Sequence, residues 1–248
     1  SDGEQMFTVF APVNEAFTAF ENPNGNELNT ILANHVIAGA SLAAGDLMNM
    51  YANTAATNED GDNLSIYVNV DDGVQLNGQS MVVVSDVVTT NGIIHAVDTV
   101  IDLPTVVTFA VADSENFSSL VGALTAEGQP DFVSVLSSTT DNAPFTVFAP
   151  INSAFAALEE VPSGETLTAV LNHHVIAEAN IVSGDLSDGL VSPATLEGDS
   201  VTFTEADGSF TITDGAGNMG IAIVKADVQA INGVIHAVDT VLIPDTEN

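Results

Sequence analysis

The sequence predicts an α+β fold repeated twice along the chain, on three observations. Three blocks of residues recur in the same order about 140 positions apart. Within a copy, helical periods come first and β-branched runs broken by turn residues follow, an order that argues α+β over a doubly wound sheet. The chain has 248 residues, 46% of them apolar, which is enough for two small cores.

The first block, Phe7-Thr8-Val9-Phe10-Ala11-Pro12-Val13-Asn14-Glu15-Ala16-Phe17, returns from Phe145 to Phe155, displaced by 138. His35-Val36-Ile37-Ala38, with Gly45-Asp46-Leu47 after it, returns at His174 and Gly184, displaced by 139. Asn91-Gly92-Ile93-Ile94-His95-Ala96-Val97-Asp98-Thr99-Val100 returns from Asn232 to Val241, displaced by 141. Two tandem domains are expected, 1–104 and 105–248. The segment 105–140 of the second copy has no counterpart ahead of Phe7, so the first domain is expected to lack its N-terminal part and the cover that part gives the core.

Element by element, residues 7–11 read as a short apolar strand stopped by Pro12. Asn14 is placed to cap a helix through Phe17 and Phe20. Leu28, Ile31 and Leu32 fall at helical spacing, and Val36-Ile37 opens a strand. Residues 64–70, 73–76, 81–88 and 93–101 are strand-like, turned at Asp71-Asp72-Gly73, Asn77-Gly78 and Asn91-Gly92. In the second copy, Phe117, Leu120, Val121 and Leu124, with Phe132, Val135 and Leu136 after them, predict a helix over 113–136. Strands are expected at 200–204, 209–213 and 220–228, turned at Asp207-Gly208 and Asp214-Gly215. Phe10, Phe17, Phe148 and Phe155 are expected in the core as two equivalent pairs.

Charge excludes several functions. There are 34 acidic residues against one base, Lys225, for a net charge of −33. Only 14% of residues are charged, below the roughly 25% of ordinary soluble chains. The acidity therefore comes from missing Lys and Arg. Such a chain has no footprint for nucleic acid, no arginine to clamp a nucleotide and no basic patch for anionic lipid. Without cysteine it has no disulfide, thiolate nucleophile or Cys-based zinc site. No apolar run approaches the roughly 18 residues of a membrane span. The carboxylates need solvent cations to offset their repulsion, which suits a saline external medium.

The candidate chemistry is sparse. Four of the five histidines form repeat-equivalent pairs, His35 with His174 and His95 with His236, and His173 precedes His174. Their spacing offers no i, i+2 or i, i+4 chelate, so they read as structural side chains bonded to backbone. Asp98 and Asp239 lie three residues after His95 and His236, on the opposite face of a strand, and no G-x-S-x-G accompanies them. Asn58, Asp60 and Asp62 are weak calcium candidates, because the EF-hand spacing is absent and turn chemistry explains them as well. Asn63-Leu64-Ser65 and Asn116-Phe117-Ser118 are glycosylation sequons by pattern, and chance accounts for them.

The FTVFAP-N-AF block, the His-Val-Ile segment and the closing Asn-Gly-[IV]-Ile-His-Ala-Val-Asp-Thr-Val block resemble the fasciclin-type (FAS1) domain family, over essentially the whole chain. The resemblance implies a wedge-shaped β-sandwich with several short helices, secreted or cell-surface life, and non-enzymatic adhesion to surface or matrix proteins or glycans. The alternative is a cell-envelope protein holding divalent cations or polysaccharide. The family-motif segments are Asn34-His35-Val36, His95 with Asp98, His173-His174-Val175, and His236 with Asp239. Many members have Tyr-His before the valine. This chain has Asn34-His35 and His173-His174 instead, so the integrin contact linked to that segment in some animal members is not carried over. No cofactor is implied, calcium being the only candidate ion, and the incomplete first domain is a candidate surface for self-association.

Overall fold

A computed structural model describes residues 5–245. The chain divides into two compact units, Ser1–Pro104 and Thr105–Asn248.

The first unit runs β1 (Phe7–Pro12), α1 (Asn14–Ala19), α2 (Leu28–Ala33), β2 (Val36–Ala38), β3 (Met50–Thr57), β4 (Asn63–Asn69), β5 (Gln75–Leu76), β6 (Ser80–Thr89) and β7 (Gly92–Val97). Its seven strands are ordered β2-β1-β7-β6-β5-β4-β3. Only β1 and β7 pair in parallel. Strand β6 serves both halves of the sheet, pairing with β5 through Met81 and with β7 from Val82 onward. The register slips twice between Val82 and Val87, where Asp86 takes φ 63°. Bulges of this kind bend a strand. Phe10, Ile37, Ile66, Val68, Leu76, Val97 and Ile101 fill the core.

The second unit opens with α3 (Val106–Ala112), α4 (Ser114–Leu124) and α5 (Phe132–Ser137). It continues with β8 (Phe145–Pro150), α6 (Asn152–Ala156), α7 (Gly164–His173), β9 (Val175–Ile176), β10 (Thr202–Ala206), β11 (Ser209–Thr213), β12 (Ile221–Ala230) and β13 (Gly233–Val238). The order is β10-β11-β12-β13-β8-β9, with β13 and β8 parallel. The bulged strand is β12, with Asp227 at φ 59° and Lys225 paired to Ala237 between two slips. Phe148, Ile176, Val201, Phe203, Ile212, Val238 and Leu242 form its core.

The structure corrects three local expectations about helices and core. The helix expected over 113–136 is two helices, α4 and α5. Gly128 at φ 86° and Pro130 break the chain between them, and the Asp131 carboxylate accepts from the Ser134 amide to start α5. Helix α3 carries a capping box of Thr105 and Thr108, whose hydroxyls serve each other's amides. Asn14 does not cap α1, for Val13 holds that position without a side-chain bond. Phe17 is not in the core. Phe10 and Phe148 are fully buried and Phe155 is 7% exposed, but Phe17 is 44% exposed. Phe155 and Ala123 line one groove where α6 meets α4, and among the described residues the first unit has no helix in the place of α4.

Asn-Gly pairs play two different roles. Asn77 (φ 50°) and Gly78 (φ 65°) form the expected tight hairpin turn, as do Asp207 (φ 54°) and Gly208 (φ 78°). At Asn91-Gly92 the turn lies one residue earlier, because Thr89 pairs with Gly92 and leaves Thr90 and Asn91 as the loop. Gly92 and Gly233 instead begin β7 and β13, where a Cβ would fall 2.1 Å from the Phe7 and Phe145 carbonyl oxygens respectively. Gly233→Ala is therefore expected to lower unfolding stability by about 3 kcal/mol, the upper end for a single substitution. Gly122→Ala is its control, since Gly122 lies within α4 with nothing within 4 Å of the added carbon. That change should raise stability by up to about 1 kcal/mol, and urea unfolding reads both.

Candidate functional site

The five histidines are all buried, and four of them, His35, His95, His174 and His236, are each placed between two backbone groups. His35 follows α2, with Nδ1 2.7 Å from the Ile31 carbonyl and Nε2 accepting from the Ile101 amide at 2.9 Å. His174 repeats this with the Val170 carbonyl and the Leu242 amide, at the same distances. A ring nitrogen that accepts an N–H bond has no proton, so in both rings the proton sits on Nδ1. Each ring ties the end of a helix to the segment after the last strand.

His95 and His236 use the other tautomer. Their Nε2 atoms lie 2.9 and 2.8 Å from the Leu42 and Ile181 carbonyls. Nδ1 accepts from Asp86 N–H at 3.3 Å and Asp227 N–H at 3.4 Å. The rings stack on Phe10 and Phe148. Asp86 and Asp227 complete each device by accepting from the Ala44 and Ser183 amides, and the Ser183 hydroxyl also donates to Asp227. Sequence reasoning missed these two aspartates. Their signal was present, since Asp86-Val87 and Asp227-Val228 share the 141-residue displacement of the closing block.

Asp98 and Asp239 lie apart from the histidine bonds, with carboxylates accepting from the Met81 and Ala222 amides at 2.8 and 2.9 Å. Asn34 is buried, its amide donating to the Asp102 carbonyl at 3.1 Å. Val36 is half-buried and Val175 buried, on the short edge strands β2 and β9.

His173 ends α7 and is fully buried. One ligand atom each from His173, Glu197 and Asp199 lies within 4.8 Å of the others, the one potential metal-holding group among the described residues. The ring argues against that use. Nε2 accepts from the Gly215 amide at 3.1 Å, which leaves the proton on Nδ1, the nitrogen 3.7 Å from a Glu197 oxygen. A cation at Nδ1 would require the ring to lose its last proton. The group reads as a hydrogen-bonded strut beside two carboxylates.

Burial lowers the proton affinity of His35, His173 and His236 below the ordinary histidine value. At His173 the nearby Glu197, Asp199 and Asp214 carboxylates oppose that effect. His174 is pushed down to about 4, mainly by burial, against the pull of the Val170 carbonyl. These rings are neutral at pH 7.

The calcium candidates close a hairpin between β3 and β4. The Asn58 side-chain oxygen accepts from the Asp62 amide at 2.8 Å, and its NH₂ donates to the Asp62 carboxylate at 3.2 Å. Asp60 is exposed at the tip. The second unit builds the same closure with the two side chains exchanged: Asp214 accepts from the Asn218 amide at 2.8 Å and from its side-chain NH₂ at 2.9 Å. The roles of Asn58 and Asp62 are thus those of turn formers. A groove of about 500 Å³ lies between α4, α6 and the start of α7. Its Asn152 and Gln129 side chains are bonded to neighbouring protein groups.

The fold and its buried struts define a two-unit α+β repeat protein whose distinctive polar residues hold its own backbone. The Fasciclin domain family profile matches residues 1–104 and 115–244, and the chain belongs to that family. Protein sll1483 of Synechocystis sp. is 37% identical over 144 residues, covering 54% of this chain and 70% of its own length. Human periostin is 29% identical over 262 residues, which is 99% of this chain but 29% of periostin. The chain thus spans less than a third of that relative. A FAS1 domain pair from the insect cell adhesion molecule Fasciclin I shares the fold with a TM-score of 0.56 at 22% identity, covering 96% of this chain and 88% of that one. Among the described residues, no helix is long and apolar enough to cross a membrane.

Proposed function

We propose that the chain is a non-enzymatic adhesion module, secreted or held at a cell surface in a saline medium, that contacts surface or matrix proteins or glycans. The observation that carries this reading is the fasciclin family match across both units, with a solved pair of the same fold drawn from a cell adhesion molecule. The bonding of the histidines supports it, because a ring engaged at both nitrogens is unavailable as a general base. Binding of the purified chain to matrix-protein and glycan arrays tests the reading; absence of any specific, saturable binding at physiological and at molar salt overturns it.

The net charge of −33 favours a second reading, a cell-envelope protein that holds divalent cations or polysaccharide. Melting series in NaCl, MgCl₂ and CaCl₂ at matched ionic strength separate the two. Repulsion among the carboxylates predicts that all three salts raise the melting temperature, since the screening length falls from about 10 Å at 0.1 M to about 3 Å at 1 M. Asp60→Asn and Asp62→Asn should leave that rise unchanged. A calcium-only rise that saturates and disappears in these variants would move the assignment to the second reading, as specific binding stabilises by about 2.7 kcal/mol at a hundredfold excess over Kd.

A further inference from the structure

Helix α4 has two working faces. Phe117, Leu120, Val121 and Leu124 border the apolar space against β8 and β13. Ser119, Gly122, Ala123 and Ala126 fall at i, i+3, i+4 and i+7 on the other side. Small side chains leave room there, and a carbon added at Gly122 would meet nothing within 4 Å. The space between this face, α6 and the start of α7 is the groove of about 500 Å³, within the range of small-molecule sites.

The lining of the groove is mixed. Buried Ala123, Phe155 and Leu167 give it an apolar floor. Ser119, Ser163 and Glu127 give it a polar edge, and among the described residues the two hydroxyls and the carboxylate have no protein hydrogen-bond partner. Two amide side chains hold the walls apart. Asn152 accepts from the Ser119 amide at 2.8 Å and donates to the Glu115 carbonyl at 2.7 Å, fixing α4 against α6. Gln129 donates to the Gly164 carbonyl at 3.1 Å and accepts from the Thr168 hydroxyl at 2.9 Å, fixing the chain after α4 against α7. Walls tied in this way need little ordering when a ligand enters.

We propose that this groove binds a short, neutral oligosaccharide. The inference rests on the glycan part of the adhesion reading and gives it a site. A sugar ring presents C–H faces that suit the apolar floor, and a rim of hydroxyls that suits two serines and a carboxylate. Charge narrows the class. No cation lines the groove, and the one base of the chain is Lys225 in β12. Uronate or sulfated chains would therefore meet Glu127 and a net charge of −33 with nothing to offset them. Attraction for a cationic ligand is screened in a saline medium, whereas hydrogen bonds and apolar contact persist. An extended peptide finds no strand edge to join, because the walls are helices.

The test titrates the full chain with neutral trisaccharides of glucose, mannose, galactose and N-acetylglucosamine in molar NaCl, read by backbone amide NMR. The expected result is saturable one-to-one binding of at least one sugar, with shifts confined to Gly122, Ala126, Val161 and Ser163. Glu127→Ala should weaken it about tenfold, the worth of a hydrogen bond to a charged group. Gly122→Leu should abolish it by filling the groove, with an unchanged melting temperature showing that the variant folds. Should it not fold, Glu127→Ala and Ser163→Ala, both at exposed positions, carry the test. Affinity should hold between about 0.1 M and about 1 M NaCl, where charge attraction would fade. No binding by any of the sugars overturns the proposal, as do shifts elsewhere, loss of affinity with salt, or equal binding of oligogalacturonate. Arrays probed with the Gly122→Leu chain separate this from the adhesion reading. Array binding that survives the variant removes the groove and leaves adhesion standing, whereas trisaccharide binding without array binding removes adhesion and leaves the groove.

Discussion

Between pH 6.5 and pH 4 in molar salt, the second unit is expected to lose on the order of 3 kcal/mol of stability through His174 alone. The ring is fully buried and neutral, and its folded value lies near 4 against 6.5 for a free histidine. The unfolded chain therefore takes up the proton first as pH falls. The contribution is complete above about 6.5 and is lost on descent to about 4. His173 and His236 are shifted in the same direction and steepen the decline. Protonation also removes the acceptor that the Leu242 amide uses. Neutralising surface carboxylates acts the other way by relieving repulsion, and molar salt suppresses that opposing effect. Urea unfolding at pH 7, 6, 5 and 4 reads the slope. His174→Gln should be less stable at pH 7 yet show the flatter profile, and an equally steep profile in that variant would contradict the assignment.

Phe148→Ala is expected to cost about 3–5 kcal/mol, the range for emptying an aromatic site in a packed core. Phe148 is fully buried and its ring contacts Phe203 and His236, so the cavity would lie at the centre of the second unit. The paired experiment on α1 and α6 is more discriminating. Phe155→Ala should approach the same range, while Phe17→Ala, at the same place in the repeat, should cost less than about 1 kcal/mol because its ring is already partly in water. Equal losses at Phe17 and Phe155 would show that the first unit's face is covered in solution.

Much of this architecture was legible from the repeat, since blocks that recur in order report a shared fold without any knowledge of contacts. The α+β order and the Asn77-Gly78 and Asp207-Gly208 turns followed from local chemistry. The misses share a cause. Phe17 obeys the same local pattern as Phe155, and its exposure depends on a helix that belongs to a different part of the sequence. Asn14 sits where an N-cap belongs, but its counterpart Asn152 reaches across to α4. Gly92 was assigned to a turn because Asn-Gly favours one, whereas the close approach of β1 sets its identity. At the histidines, spacing separated His95 from Asp98, but the bulge that brings Asp86 beneath the ring is a register slip between two strands. No single-strand pattern carries that information.

The one basic residue has a consequence for durability. Trypsin-like proteases cut after Lys or Arg, and this chain offers them the single bond after Lys225. That bond lies inside β12, where Lys225 pairs with Ala237 of β13, whereas cleavage requires an extended segment freed from its sheet. A protease of this class must therefore wait for β12 to detach, and its rate of attack measures how often the second unit opens. In a medium rich in secreted proteases, the scarcity of Lys and Arg leaves the folded chain without a loop that such enzymes can cut.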